Sequence, residues 1–266
     1  MKHARESIAL AALVCAFGLG LTGCGGGGGD SGTSAPTPTP TTRTAAEGSW
    51  CAIEPDGSID QIILLDDGSA WGLYGEGVCG SSYTDIYDMY HGTYTINGNN
   101  VSVSTTEFDY SSFTSGSGYL ISGTASAQSA LNLVSNGSIA FTMSYLNAYD
   151  QPASLAALAG NYSGATATTA VYGAPTGNLT ISGSTWSMPA DVNGCSASGT
   201  VAPHSTAHGV VGVFDLSLTF NSASCALGNG TTVKGIAIQS SDGNQVYAMT
   251  VTPDGAKDFF VWSVRQ

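Results

Sequence analysis

Ile139-Ala140-Phe141-Thr142-Met143-Ser144-Tyr145 sets large apolar side chains at every second position and small or polar ones between them. A period of two is the pattern of a β-strand with one face on a core and the other toward water. Phe214, Leu216, Leu218 and Phe220 repeat it against Asp215, Ser217 and Thr219. Segments of this kind are separated by Asp56-Gly57, Asp67-Gly68, Asn97-Gly98, Asn136-Gly137, Asp242-Gly243 and Asp254-Gly255. Asp-Gly and Asn-Gly pairs suit tight hairpins, because glycine takes positive φ at no steric cost. The chain from Glu47 onward therefore reads as an all-β array of antiparallel hairpins. Only Ala153–Ala159 reads as a helical turn.

That turn divides the array into residues 47–152 and 153–266. A faint repeat relates the two halves. Gly48-Ser49-Trp50 opens one and Gly160-Asn161-Tyr162 the other; Trp71 and Trp186 follow, then Cys79 and Cys195, then Gly92-Thr93 and Gly199-Thr200. Each half has room for about eight short strands. With no long crossover, closure into an up-and-down barrel removes the exposed edges. The expected architecture is two tandem antiparallel barrels, each of about eight strands. Large residues such as Trp71, Trp186 and Trp262 are expected to point inward and fill them.

The Gly-x-Trp opening resembles the first strand of lipocalin-type barrels. In that family an aromatic plugs the barrel base, and an arginine from the last strand can lie over it. The resemblance gives this part to Arg265 in the second half. The first half contains no arginine or lysine with which to follow the pattern.

The amino-terminal segment has a different character. Lys2 and Arg5 precede an apolar run from Ile8 to Leu21, a length that suits a signal sequence and is short for a membrane span. Leu21-Thr22-Gly23-Cys24 then resembles the lipobox of bacterial lipoproteins. The resemblance implies cleavage of residues 1–23, a thioether to diacylglycerol at Cys24, and fatty acyl chains, palmitate among them, as a membrane anchor. Gly25 at the following position resembles lipoproteins sorted to the outer membrane. Residues 24–46, rich in Gly, Pro and Thr, read as a disordered tether. Gly29-Asp30-Ser31-Gly32 resembles the segment around a trypsin-like nucleophile, but a tether supplies neither a rigid oxyanion hole nor an oriented base.

The chain carries 6 basic and 19 acidic residues, a balance that excludes a phosphate-neutralising surface and so a nucleic-acid partner. Acidic residues dominate from Glu47 to Asp150, a stretch without lysine or arginine. There Asp56, Asp60, Asp66 and Asp67 read as a solvated acidic face.

Six cysteines are present. Cys15 leaves with the signal and Cys24 takes lipid. Four remain, which allow three pairings, and the division into halves favours Cys51–Cys79 and Cys195–Cys225. Wide spacing and the lack of Cys-x-x-Cys argue against a metal site.

Two other stretches carry candidate chemistry. Ser81 to His91 reads as a long loop with Tyr83, Asp85, Tyr87, Asp88, Tyr90 and His91, a candidate recognition surface because tyrosine gives contact area at low entropic cost. His204 and His208, between Pro203 and Gly209, read as a surface loop. Ser115-Gly116-Ser117-Gly118 resembles a loop of membrane-bound lysozyme inhibitors, although the lysine that follows in those proteins is missing. No stretch brings together a nucleophile, a base and an orienting acid, and no phosphate loop occurs. The sequence thus reads as a non-catalytic envelope lipoprotein without cofactor or metal, binding a protein or glycan. The alternative is a carrier of a small hydrophobic ligand inside a barrel.

Overall fold

The structure is a computed structural model that describes residues 43–135, 139–169 and 176–266. The lipobox, Cys24 and the tether through residue 42 lie outside the described residues, as does the Asn136-Gly137 turn. The first barrel contains β1 (Gly48–Ile53), β2 (Ile59–Leu64), β3 (Ser69–Val78), β4 (Ser82–Asn97), β5 (Asn100–Asp109), β6 (Thr114–Ser126), β7 (Ala130–Ser135) and β8 (Ile139–Tyr145). A 3-10 turn, Asn147–Asp150, and α1 (Leu155–Leu158) lead to the second. It contains β9 (Gly160–Ala167), β10 (Thr176–Ser182), β11 (Thr185–Met188), β12 (Ala197–Thr206), β13 (Gly209–Phe220), β14 (Thr232–Gln239), β15 (Gln245–Val251) and β16 (Asp258–Arg265).

Within each barrel every strand pairs antiparallel with its sequence neighbour, and both sheets close: β1 on β8 and β9 on β16. This is the expected pair of eight-stranded up-and-down barrels. Gly57, Gly68, Gly98, Gly243 and Gly255 hold φ between 60° and 90° in their turns, the region for which the Asp-Gly and Asn-Gly pairs were read. Both expected disulfides are present, Cys51–Cys79 and Cys195–Cys225. Such bonds form in oxidising compartments, so the folded chain belongs outside the reducing cytoplasm.

Each barrel has its own apolar interior. The first contains Trp50, Leu64, Val101, Val103 and Leu131; the second contains Tyr162, Leu179, Trp186, Leu216 and Leu218. The two bases are built alike. Trp50 Nε1 donates to the Ala46 carbonyl at 2.8 Å, and Tyr162 Oη donates to the Leu158 carbonyl at 2.5 Å, in each case four residues upstream. Gly48 and Gly160 precede these aromatics because a methyl there would overlap the Tyr145 ring in one barrel and the Arg265 guanidinium in the other. Arg265 lies over the Tyr162 ring at 4.9 Å and donates to the Ala157 and Ala159 carbonyls and Tyr162 Oη at 2.6–2.7 Å. It also ties off the carbonyls at the end of α1.

The first barrel has the same device from an unexpected source. Arg43, ahead of its first strand, lies 4.8 Å from the Tyr149 ring and 5.5 Å from that of Tyr145. It pairs with Asp150 at 2.6 Å and donates to Tyr145 Oη and the Glu47 carbonyl. Residues 43–46, read from composition as tether, are therefore packed, with Ala46 fully buried.

A third apolar cluster lies between the barrels and takes residues from both. Ile59, Ile63, Trp71, Leu73, Met89 and Phe108 on the outer face of the first meet Val213, Ile236, Ile238, Tyr247, Met249 and Phe260 on the second. The expectation of three inward tryptophans is corrected here. Trp186 points inward, whereas Trp71 and Trp262 belong to this seam, because alternation puts their neighbours Ala70 and Val261 inside. Glycines allow the close approach: a Cβ on Gly235 would come within 2.8 Å of Trp71 Cη2, and one on Gly212 would overlap the Ala148 carbonyl. Tyr83 N donates to Tyr247 Oη at 2.8 Å across the same boundary, and Ala153 N, in the connection between the barrels, donates to the Val211 carbonyl at 3.0 Å.

Trp71 is 5% exposed, so Trp71→Ala removes a large buried side chain and leaves a cavity at the seam. The expected cost is about 3–5 kcal/mol, read from urea denaturation followed by far-ultraviolet circular dichroism. Two separate transitions in the variant, against one in the parent, would show the barrels coming apart before they unfold.

Candidate functional site

The tyrosine-rich stretch from Ser82 is not a loop. It is the first part of β4, a sixteen-residue strand whose pairing with β3 breaks register at Tyr74/Gly75 and Glu76/Gly77. These bulges admit extra residues and turn the strand, so its side chains go to different places. Tyr83 is 3% exposed and is part of the seam, edge-on to Tyr247 at 5.2 Å. Asp85 is exposed and accepts from Ile86 N. Tyr87 donates to Glu76 at 2.6 Å, and Asp88, partly buried, pairs across the strands with Asp109. Tyr90 faces the interior of the first barrel, and His91 faces out onto Trp71. The six residues do not form one surface.

Of the two histidines, His208 lies in an exposed turn as expected, whereas the loop reading of His204 is corrected. His204 lies on β12, with 8% of its surface exposed. Its Nδ1 is 2.7 Å from Asp215 on β13, and its Nε2 is 3.1 Å from Asp66 on the β2–β3 turn of the other barrel. With a carboxylate at each ring nitrogen, both nitrogens donate and the ring is an imidazolium. The Asp215 hydrogen bond outweighs burial and, with Asp66, raises its pKa to about 9. His208 is exposed. Asp66, read as part of a solvated acidic face, is thus a seam residue.

Beside this clamp the barrels diverge and leave a groove of about 560 Å³. Trp71 and His91 form its floor, with ring centroids 4.2 Å apart. Burial lowers the His91 pKa, so the ring is neutral at pH 7. Asp67, Asp215, Lys234 and Thr200 line the walls, and all four are exposed. The groove therefore combines an aromatic floor with acidic, basic and hydroxyl groups at its edge. Such a lining can hydrogen-bond and stack on a polar partner. Among the described residues no group of three or more His, Cys, Asp or Glu side chains is placed to hold a metal ion.

Composition hid the groove, but one signal pointed toward the seam that builds it. Ile62-Ile63-Leu64-Leu65, Val246 to Val251 and Phe259 to Trp262 are nearly continuous apolar runs. Runs of this kind belong to strands buried on both faces.

The His204 pair gives a pH signature. A histidine pKa raised above its unfolded value stabilises the fold fully below about pH 6.5, and that contribution fades as the pH rises through about 9. The unfolding free energy should therefore fall across this window in the parent. The fall should be shallower in His204→Gln, and NMR should show the parent imidazole titrating near pH 9.

No family model matches this chain, and neither a curated protein nor a solved structure does.

Proposed function

We propose that this protein is a lipid-anchored component of a bacterial cell envelope, attached through Cys24, which presents a rigid binding surface and is not a catalyst. The observation that carries this reading is the groove between the barrels, where aromatic and charged groups of both signs converge on a fixed seam. The partner it fits is a protein or a glycan. Hydroxyls and amides would meet Asp67, Asp215 and Lys234, and a flat apolar face would meet the Trp71–His91 pair. A carrier of a hydrophobic ligand has less support, because Trp186, Tyr162 and Leu218 fill the second barrel. The lipobox, the Gly25 sorting position and the two disulfides support an address in the envelope, on the outer membrane.

Cys24→Ala should move the protein from the membrane fraction to the soluble one and abolish labelling by an alkyne analogue of palmitate. A photo-crosslinking amino acid at Thr200, on the groove wall, should capture an envelope protein or glycan in intact cells. The same group at Asn193, in the β11–β12 connection, should not. Equal capture at both sites, or none at Thr200, would sink the groove reading.

A further inference from the structure

Lys234 is a cation without a counter-ion in a strongly acidic chain. Of the 6 basic residues, Lys2 and Arg5 lie in the segment read as a signal, and Arg43 and Arg265 cover the two barrel bases. Lys257 sits in the β15–β16 turn, within reach of the Asp254 charge. Lys234 makes no ion pair and no hydrogen bond among the described residues, although the chain carries 19 acidic residues.

Register sets its place. Thr200 pairs with Ser217, and Ser217 with Lys234, across β12, β13 and β14. Val201, Leu216, Leu218 and Val233 beside them point into the second barrel. Alternation therefore turns the two hydroxyls and the ammonium outward, where they line the groove. Neighbours in such a row stand about 5 Å apart.

The first barrel adds one open acid. Of the four aspartates near its first turns, Asp56 accepts from Ser58 in its own turn. Asp60 follows the inward row of Ile62 and Leu64 into the barrel, and its reading as part of a solvated face is corrected by this position. Asp66 is bound by His204, as is Asp215 on the opposite barrel. Asp67 stays exposed at the groove, with one oxygen accepting from Ser69 N at 2.8 Å and the other without a partner among the described residues.

The charges left for a ligand are thus one carboxylate on the first barrel and one ammonium on the second. A polyanion is repelled by a chain of net charge −13, and a polycation meets Lys234. A ligand with one charge of each sign satisfies both barrels. The Ser69 hydroxyl is a second, independent feature. It lines the groove, is closed off from solvent and has no hydrogen-bond partner. Such a hydroxyl is rare in folded proteins, and a peptide N–H or C=O can satisfy it.

We infer that the groove receives a short peptide by its two free ends, the carboxylate held by Lys234 and Ser217 and the ammonium by Asp67. The inference rests on the reading of the groove as the binding site and names its ligand class. The groove volume of about 560 Å³ falls among small-ligand sites, which run from roughly 300 to 1,000 Å³.

The test is calorimetric titration of the full-length protein, disulfides intact, with trialanine, N-acetyl-trialanine, trialanine amide and the doubly blocked peptide. Trialanine should saturate. Blocking either end should weaken binding roughly tenfold or more, the worth of a charge-assisted hydrogen bond. Lys234→Gln should no longer distinguish trialanine from its amide. Asp67→Asn, whose amide oxygen can still accept from Ser69 N, should no longer distinguish trialanine from its N-acetyl form. Both positions are exposed, so both variants should fold like the parent, and misfolding would not erase the preference for one end alone. The inference is overturned if trialanine does not saturate, if the doubly blocked peptide binds equally, or if either variant keeps the parent's preferences. Chitotriose saturating where trialanine does not would also overturn it, in favour of a neutral glycan. Photo-crosslinking at Thr200 separates this failure from that of the groove itself. Capture there without trialanine binding leaves the groove a docking site for another partner, and neither result removes both readings.

Discussion

The indole of Trp71 lies over the bare backbone of Gly235, and two barrels become one body around that contact. A small closed barrel ordinarily buries one face of each strand and gives the other to water. Here β2 and β15 are buried on both faces through nearly their whole length. The outward face of each barrel thereby becomes a core in its own right. The His204 clamp and the groove are consequences of this geometry, since both form where the seam ends and the barrels curve apart.

The two barrels close their bases by the same physics with different parts. An aromatic seals the floor, its polar atom binds a carbonyl four residues upstream, and an arginine covers the ring. In the second barrel the arginine comes from the last strand. In the first it comes from ahead of the first strand. Either end of a barrel's chain lies near the base after eight antiparallel passes, so the cation can enter from either side. The interior of the first barrel then turns polar away from its base, whereas Trp186 and its neighbours fill the second.

Hairpins and their turns were legible in the sequence because they are local. Alternation and Asp-Gly pairs determine them within a few residues. What alternation cannot say is which face meets which core. Trp71 and Trp186 occupy similar places in the repeat, yet one faces a neighbouring barrel and the other its own interior. Tyr83 to His91 looked like a loop because its bulges break the period of two and its tyrosines blur the contrast between faces. Asp60 and Asp66 have the same composition and nearly the same position. Only the closed register sends Asp60 inward and sets Asp66 against a histidine from the other half.

Arg43 couples the chain ahead of the first barrel to the barrel's weakest closure. β1 and β8 share only the pairs Trp50 with Tyr145 and Cys51 with Ser144. Tension on the upstream chain would reach the guanidinium before it reaches β1. Arg43 grips Tyr145 on β8 and Asp150 just beyond it, so both edges of the closure would be drawn the same way. The load would fall on them together rather than peel one strand from the other. The base thus serves as a strain relief, like the clamp where a cable enters its housing.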